Sequence, residues 1–160
     1  MSLHSRIFVA LDGSSTQDFV SRKAIEVADH NEAELIFGHV IDSVPYEASG
    51  VDFEELCAEA EQRIRTDLAE VFDLARKNPR IKSVELQVRA GRVADTLIAR
   101  LIEPCNPDLV ICGERGLSNF KYAFVGSVST NLVRGVACDV LVVKTEANAA
   151  KNAPKNTPKR

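Results

Sequence analysis

The order of elements along this 160-residue sequence predicts an α/β fold, a single domain on an open, parallel, five-stranded sheet with helices on both faces. Three observations carry that reading. Short apolar runs alternate with stretches of helical periodicity in the order βαβαβαβαβ, and parallel neighbours require such crossovers. The third strand, residues 83–89, alternates apolar and polar side chains, as a half-wet edge strand does. The first and fourth strands are apolar nearly throughout and belong in the middle. A strand order of 3-2-1-4-5 satisfies all three, and the winding then reverses between strands one and four.

Each element has a local reason. Residues 6–12, RIFVALD, form an apolar run closed by the turn residues Gly13, Ser14 and Ser15. Ser15 with Asp18 three residues on has the form of a capping box, and Val20, Ala24, Val27 and Ala28 keep helical spacing toward His30, a solvated helix-end residue. Residues 35–41, LIFGHVI, form the second strand, in which His39 reads as a sheet-packed histidine rather than a ligand. Residues 42–52 are polar and broken by Pro45 and Gly50, a loop. The longest helix follows. Phe53, Leu56, Cys57, Ala60, Ile64, Leu68, Val71, Phe72 and Ala75 run at steps of three and four, with Asp52 and Glu55 placed to cap. Glu59, Glu61, Arg63 and Arg65 read as a solvated charged face, and the helix stops before Asn78 and Pro79. After the third strand, Gly91 opens a helix with Ala94, Leu97, Ile98, Leu101 and Ile102 on one stripe, ended by Pro104 and Pro107. Residues 108–112, DLVIC, and 139–144, DVLVVK, are the last two strands, separated by a helical pattern over 127–136. From Thr145 the chain is rich in Ala, Asn, Lys and Pro without periodicity. The expected division is a domain of residues 1–144 and a disordered basic tail of residues 145–160.

Composition narrows the class. Apolar residues make up 45% and charged residues 27%, the balance of an ordinary soluble globular protein. No apolar run approaches the roughly 20 residues of a membrane span, and residues 1–6 lack the apolar core of a signal peptide. The expectation is a cytoplasmic protein that engages no membrane. The four cysteines, Cys57, Cys105, Cys112 and Cys138, have no metal-ligand or CxxC spacing and read as reduced thiols. Lys151, Lys155, Lys159 and Arg160 against Glu146 put the tail at +3; the total being −3, the body carries −6. An acidic body argues against a nucleic-acid partner.

The stretch over residues 113–130, GERGLSNFKYAFVGSVST, carries the chemistry. It leaves the fourth strand, and Gly126 stands immediately before a helix opening with Ser127 and Ser129. A strand, a glycine-rich loop and a helix N-terminus form a cradle for anions, because the unpaired N–H groups of the first turn point at whatever sits there. It is neither a Walker A loop nor a GxGxxG fingerprint. The spacing is Gly113, two residues, Gly116, nine residues, then Gly126-Ser127.

That spacing resembles the nucleotide motif of the universal stress protein family. The resemblance extends over about residues 5–144, through VALDGS at the end of the first strand, HVID over 39–42 and the terminal DVLVVK. It implies a Rossmann-like fold of the adenine-nucleotide α-hydrolase kind and an ATP site at the crevice between strands one and four. By that resemblance Asp12 bonds the ribose, while the backbone of Val40, with Ala10 beside it, meets the adenine. Gly113 and Gly116 allow close approach of the chain. Gly126, Ser127, Val128 and Ser129 hold the phosphates, with Mg²⁺ or Mn²⁺ riding mainly on the phosphates themselves. This chain departs from many relatives in carrying Glu114-Arg115 between the first two glycines. Arg115 and Lys121 would offset the negative charge of Glu114. The resemblance also implies a homodimer through Val140, Leu141, Val142 and Val143 of the last strand. The expected role is a dimeric nucleotide-binding module of stress response and signalling. The alternatives are a slow ATPase or autophosphorylating enzyme, and a dimeric stress protein without a nucleotide. No catalytic residue is assigned.

Overall fold

Strand β1 (Arg6–Leu11) lies at the middle of the sheet because both of its faces are apolar: Ile7, Val9 and Leu11 are buried on one side and Phe8 on the other. In the computed structural model, which describes residues 2–114 and 126–144, β1 pairs with β2 (Glu34–Asp42) and β4 (Leu109–Gly113). The edges are β3 (Ser83–Gly91) and β5 (Asp139–Val143), giving the order β3-β2-β1-β4-β5 with every neighbouring pair parallel. This is the order expected from the sequence. Arg115, Gly116, Lys121 and the tail over 145–160 lie outside the described residues.

Two layers of helix cover the sheet. On one face α1 (Gln17–Asn31), α2 (Phe53–Asp67) and α3 (Ala69–Lys77) bury Val20, Ala24, Ala28, Ile64, Val71 and Phe72 against Val9, Leu35 and Phe37. Phe37 and Phe72 meet edge to face, ring centroids 5.1 Å apart, a favoured aromatic geometry. On the other face lie α4 (Val93–Thr96), a π-helical stretch (Leu97–Ile102), α5 (Glu103–Cys105) and α6 (Ser127–Gly135). There Leu97, Leu101, Ile102 and Leu132 pack over Phe8, Ile36 and Val110. The ring of Phe8 lies so close over Gly38 that any Cβ at that position would overlap it. Among the described residues no helix is long and apolar enough to cross a membrane.

Three local expectations change. The capping box at Ser15 does not form: the helix begins after Thr16, with no side-chain cap. The turn is held instead by Asp12, whose Oδ1 accepts from the Ser14 N–H at 2.9 Å and the Ser14 hydroxyl at 2.7 Å. The long helix is two helices, broken at Leu68 (φ −107°, ψ 20°). The apolar stripe runs through the break without a missed step, so periodicity conceals it. Pro104 does not end its helix: Glu103–Cys105 follow without a break on the π-helical stretch, so the helical run passes through the proline. Asn106, left-handed at φ 48°, ends it two residues later. Asp52 caps α2 as expected, accepting from the N–H groups of Glu54 at 2.9 Å and Glu55 at 3.4 Å.

The amino ends of the strands are tied by Asp108. Its carboxylate accepts from the backbone and hydroxyl of Ser5 at 2.7 and 2.8 Å and from the Arg6 N–H at 3.2 Å. Burial pushes its pKa up, but these bonds together outweigh burial and hold it below the ordinary value. The opposite, carboxyl end is left open for a site.

Candidate functional site

At the carboxyl ends of the strands, around the β1–β4 crevice, lies a cavity of about 600 Å³, a size usual for small-molecule sites. Its position follows from topology: α1 leaves β1 toward one face of the sheet and the chain leaves β4 toward the other, so the two loops part. Ala10 and Asp12 reach the cavity from β1, Val40 from β2 and Gly113 from β4, with Gly126, Ser127, Val128 and Ser129 from the start of α6. These eight residues were expected together and are found together. The other two expected site residues, Arg115 and Gly116, fall outside the described part of the chain.

The α6 side presents backbone hydrogen-bond donors to the cavity. Glu114 is held through both of its backbone polar groups: its N–H donates to the Val143 carbonyl at 2.9 Å, and its carbonyl accepts from the Gly126 N–H at 2.9 Å. The first intrahelical bond runs from the Thr130 N–H to the Gly126 carbonyl at 3.0 Å. Gly126 has no side chain with which to cap, so the N–H groups of Ser127, Val128 and Ser129 have no partner among the described residues. The buried Ser129 hydroxyl donates to the Gly126 carbonyl at 3.0 Å. What Ser129 offers a ligand is therefore its N–H, while the hydroxyl of the exposed Ser127 has no partner among the described residues.

Across the crevice, Gly13 at φ 75° turns the chain away from β1 so that Asp12 is exposed beside the cavity. Asp12 spends Oδ1 on Ser14, and Oδ2 has no partner among the described residues. Cys112 is buried beneath, and burial together with the Asp12 charge pushes its thiol up to about 11. Among the described residues no group of three or more His, Cys, Asp or Glu could hold a metal ion.

Residues 4–144 match the universal stress protein family. The chain belongs to that family. A universal stress protein of Staphylococcus saprophyticus is 34% identical over 146 residues, covering 91% of this chain and 87% of the relative. Among solved structures, the universal stress protein UspA from Lactobacillus plantarum superposes with a TM-score of 0.71 at 22% identity, over 89% of this chain and 99% of its own. A universal stress protein from Archaeoglobus fulgidus in complex with dAMP gives 0.61 at 18%, with 89% and 99% covered.

In this universal stress protein the cavity has a second wall that the sequence reading missed. His39 is half-buried and lines the cavity rather than only packing in the sheet. Its Nδ1 lies 2.9 Å from the Leu11 carbonyl. A carbonyl only accepts, so Nδ1 carries a proton and Nε2 is the nitrogen left for other partners. Pro45 and Tyr46, in a short 3₁₀ turn, and Leu56, Ala60 and Arg63 of α2 complete the wall. Arg63 was assigned to a solvated face; it is exposed, yet the solvent it meets is that of the cavity. The one available signal was its spacing, three residues beyond Ala60 and seven beyond Leu56 on the apolar stripe.

Proposed function

We propose that this universal stress protein binds ATP at the β1–β4 crevice, with Mg²⁺ or Mn²⁺ carried mainly by the phosphates, as a dimeric nucleotide-binding module of stress response and signalling. The observation that carries the reading is one cavity holding three complementary surfaces. The unpaired N–H groups of Ser127, Val128 and Ser129 suit phosphate oxygens. The free Oδ2 of Asp12 suits ribose hydroxyls, which donate to a carboxylate. Ala10 and Val40 offer an apolar surface, with backbone groups at the strand end, for a purine. The Archaeoglobus fulgidus relative in complex with dAMP lends support from the same fold. A divalent ion fits only as a passenger on the ligand, because the described carboxylates do not gather into a ligand set.

Binding rather than turnover is the favoured reading, because the Ser129 hydroxyl is committed to Gly126 within the protein. The dimer is assigned to β5, an edge strand on which Leu141 is exposed and Val140 and Val142 are half-buried. An apolar edge invites pairing with a second copy.

The test is a thermal melt with and without Mg-ATP, together with chromatography of any nucleotide released from the purified protein. At 100-fold over Kd, linkage predicts about 2.7 kcal/mol of added stability, a midpoint rise of roughly 5–10 °C for a chain of this size. No shift with any adenine nucleotide, and none released, overturns the reading.

A further inference from the structure

Leu56, Ala60 and Arg63 line the cavity from the face of the sheet opposite α6. Positions i, i+4 and i+7 share one side of a helix and span about 10 Å along its axis. Side chains on a helix lean toward its N-terminus, and α2 begins just beyond the carboxyl end of β2, where the cavity lies. The stem of Arg63 is therefore carried toward the site.

Its own helix offers Arg63 another partner. Glu59 precedes it by four residues, in the acid-before-base order that favours an ion pair. Glu61 and Arg65, at the same spacing, do pair at 2.8 Å. Arg63 has no ion-pair partner among the described residues, and among the described residues that line the cavity it is the one Lys or Arg, facing a site that also holds Asp12 and Asp42. A phosphate entering beside two carboxylates is repelled, and a helix N-terminus supplies only about half an elementary charge. A guanidinium supplies a whole one, in a fork shaped for phosphate oxygens.

We propose that Arg63 is a specificity-determining residue of the nucleotide site, its guanidinium contacting a ligand phosphate so that nucleotides are bound in preference to nucleosides. The inference rests on the nucleotide reading above. The test is calorimetric titration of the wild-type protein, Arg63→Ala and Arg63→Lys with adenosine, AMP and Mg-ATP. Arg63→Ala is expected to weaken AMP and ATP about tenfold or more, the loss of a charge-assisted hydrogen bond, and to leave adenosine affinity unchanged. Arg63→Lys restores part of the loss, and Glu59→Gln behaves as wild type. Because Arg63 is exposed and without a described ion-pair partner, its variants are expected to keep the wild-type melting temperature without ligand. An unchanged nucleotide-to-nucleoside ratio in Arg63→Ala overturns the role of Arg63 and leaves the nucleotide reading standing. So does an equal loss for adenosine and ATP, which would mark a packing role. Failure of the wild type to bind any of the three ligands overturns both.

Discussion

Cys112 stands at the boundary of core and cavity, and its thiol gives the fold a measurable dependence on pH. Burial first, and the nearby Asp12 charge second, raise it from 9.0 to about 11. A thiol raised on folding contributes stability that is fully present below the unfolded value and is lost as pH rises through the folded one. Between pH 9 and 11 the wild type should therefore lose about 2–3 kcal/mol from this group. Cys112→Ala should flatten that part of the profile, and urea denaturation at a series of pH values for both proteins checks it. Equal slopes would mean the thiol ionises freely in the folded state. At this scale the sequence was a good guide wherever a residue's role follows from its neighbours in the chain. Asp12 closes an apolar run and Gly126 precedes a hydroxylated helix start, and both stand where they were expected. His39 and Arg63 were legible only in part, since their roles depend on what folds against them. Apolar flanks correctly place His39 in the sheet but cannot show that the strand end opens onto a cavity.

For elements, α2 carries the clearest local instruction. Asp52 satisfies the N–H groups of Glu54 and Glu55, so Asp52→Ala should cost about 1 kcal/mol and Asp52→Asn much less. Chemical denaturation of both variants measures the difference, and equal losses would remove the cap as its cause. Strand and helix identities were written in period-two and period-3.6 patterns, which chain-local packing enforces. The break at Leu68 was not, because Ile64, Leu68, Val71 and Phe72 keep one apolar stripe across it. A change of direction that leaves every buried position buried has no signature in hydrophobic spacing. α2 lies along β3, whereas α3 touches both α1 and β3. The π-helical stretch over Leu97–Ile102 was hidden in the same way, its buried positions still falling on a helical stripe.

The whole molecule was legible through its edges. The alternation in β3 made it an edge strand and the unbroken apolarity of β1 made it central, which fixed the crevice before any glycine was considered. β5, apolar yet peripheral, raises the question of what covers it. If the wild type sediments as the proposed dimer, Leu141→Lys should yield a monomer, or insoluble protein; an unchanged dimer would place the interface elsewhere. The site and this edge meet in one residue. Glu114 gives its N–H to Val143 at the end of β5 and its carbonyl to Gly126 at the start of α6. Two hydrogen bonds in series thus join the strand proposed for assembly to the helix end proposed for phosphate. Reciprocity gives that junction a quantitative meaning: whatever factor pairing of two chains applies to nucleotide affinity, nucleotide applies to pairing. The association constant would then be a function of nucleotide concentration, and the ratio of its values at saturating and at zero nucleotide would give the coupling free energy between edge and site.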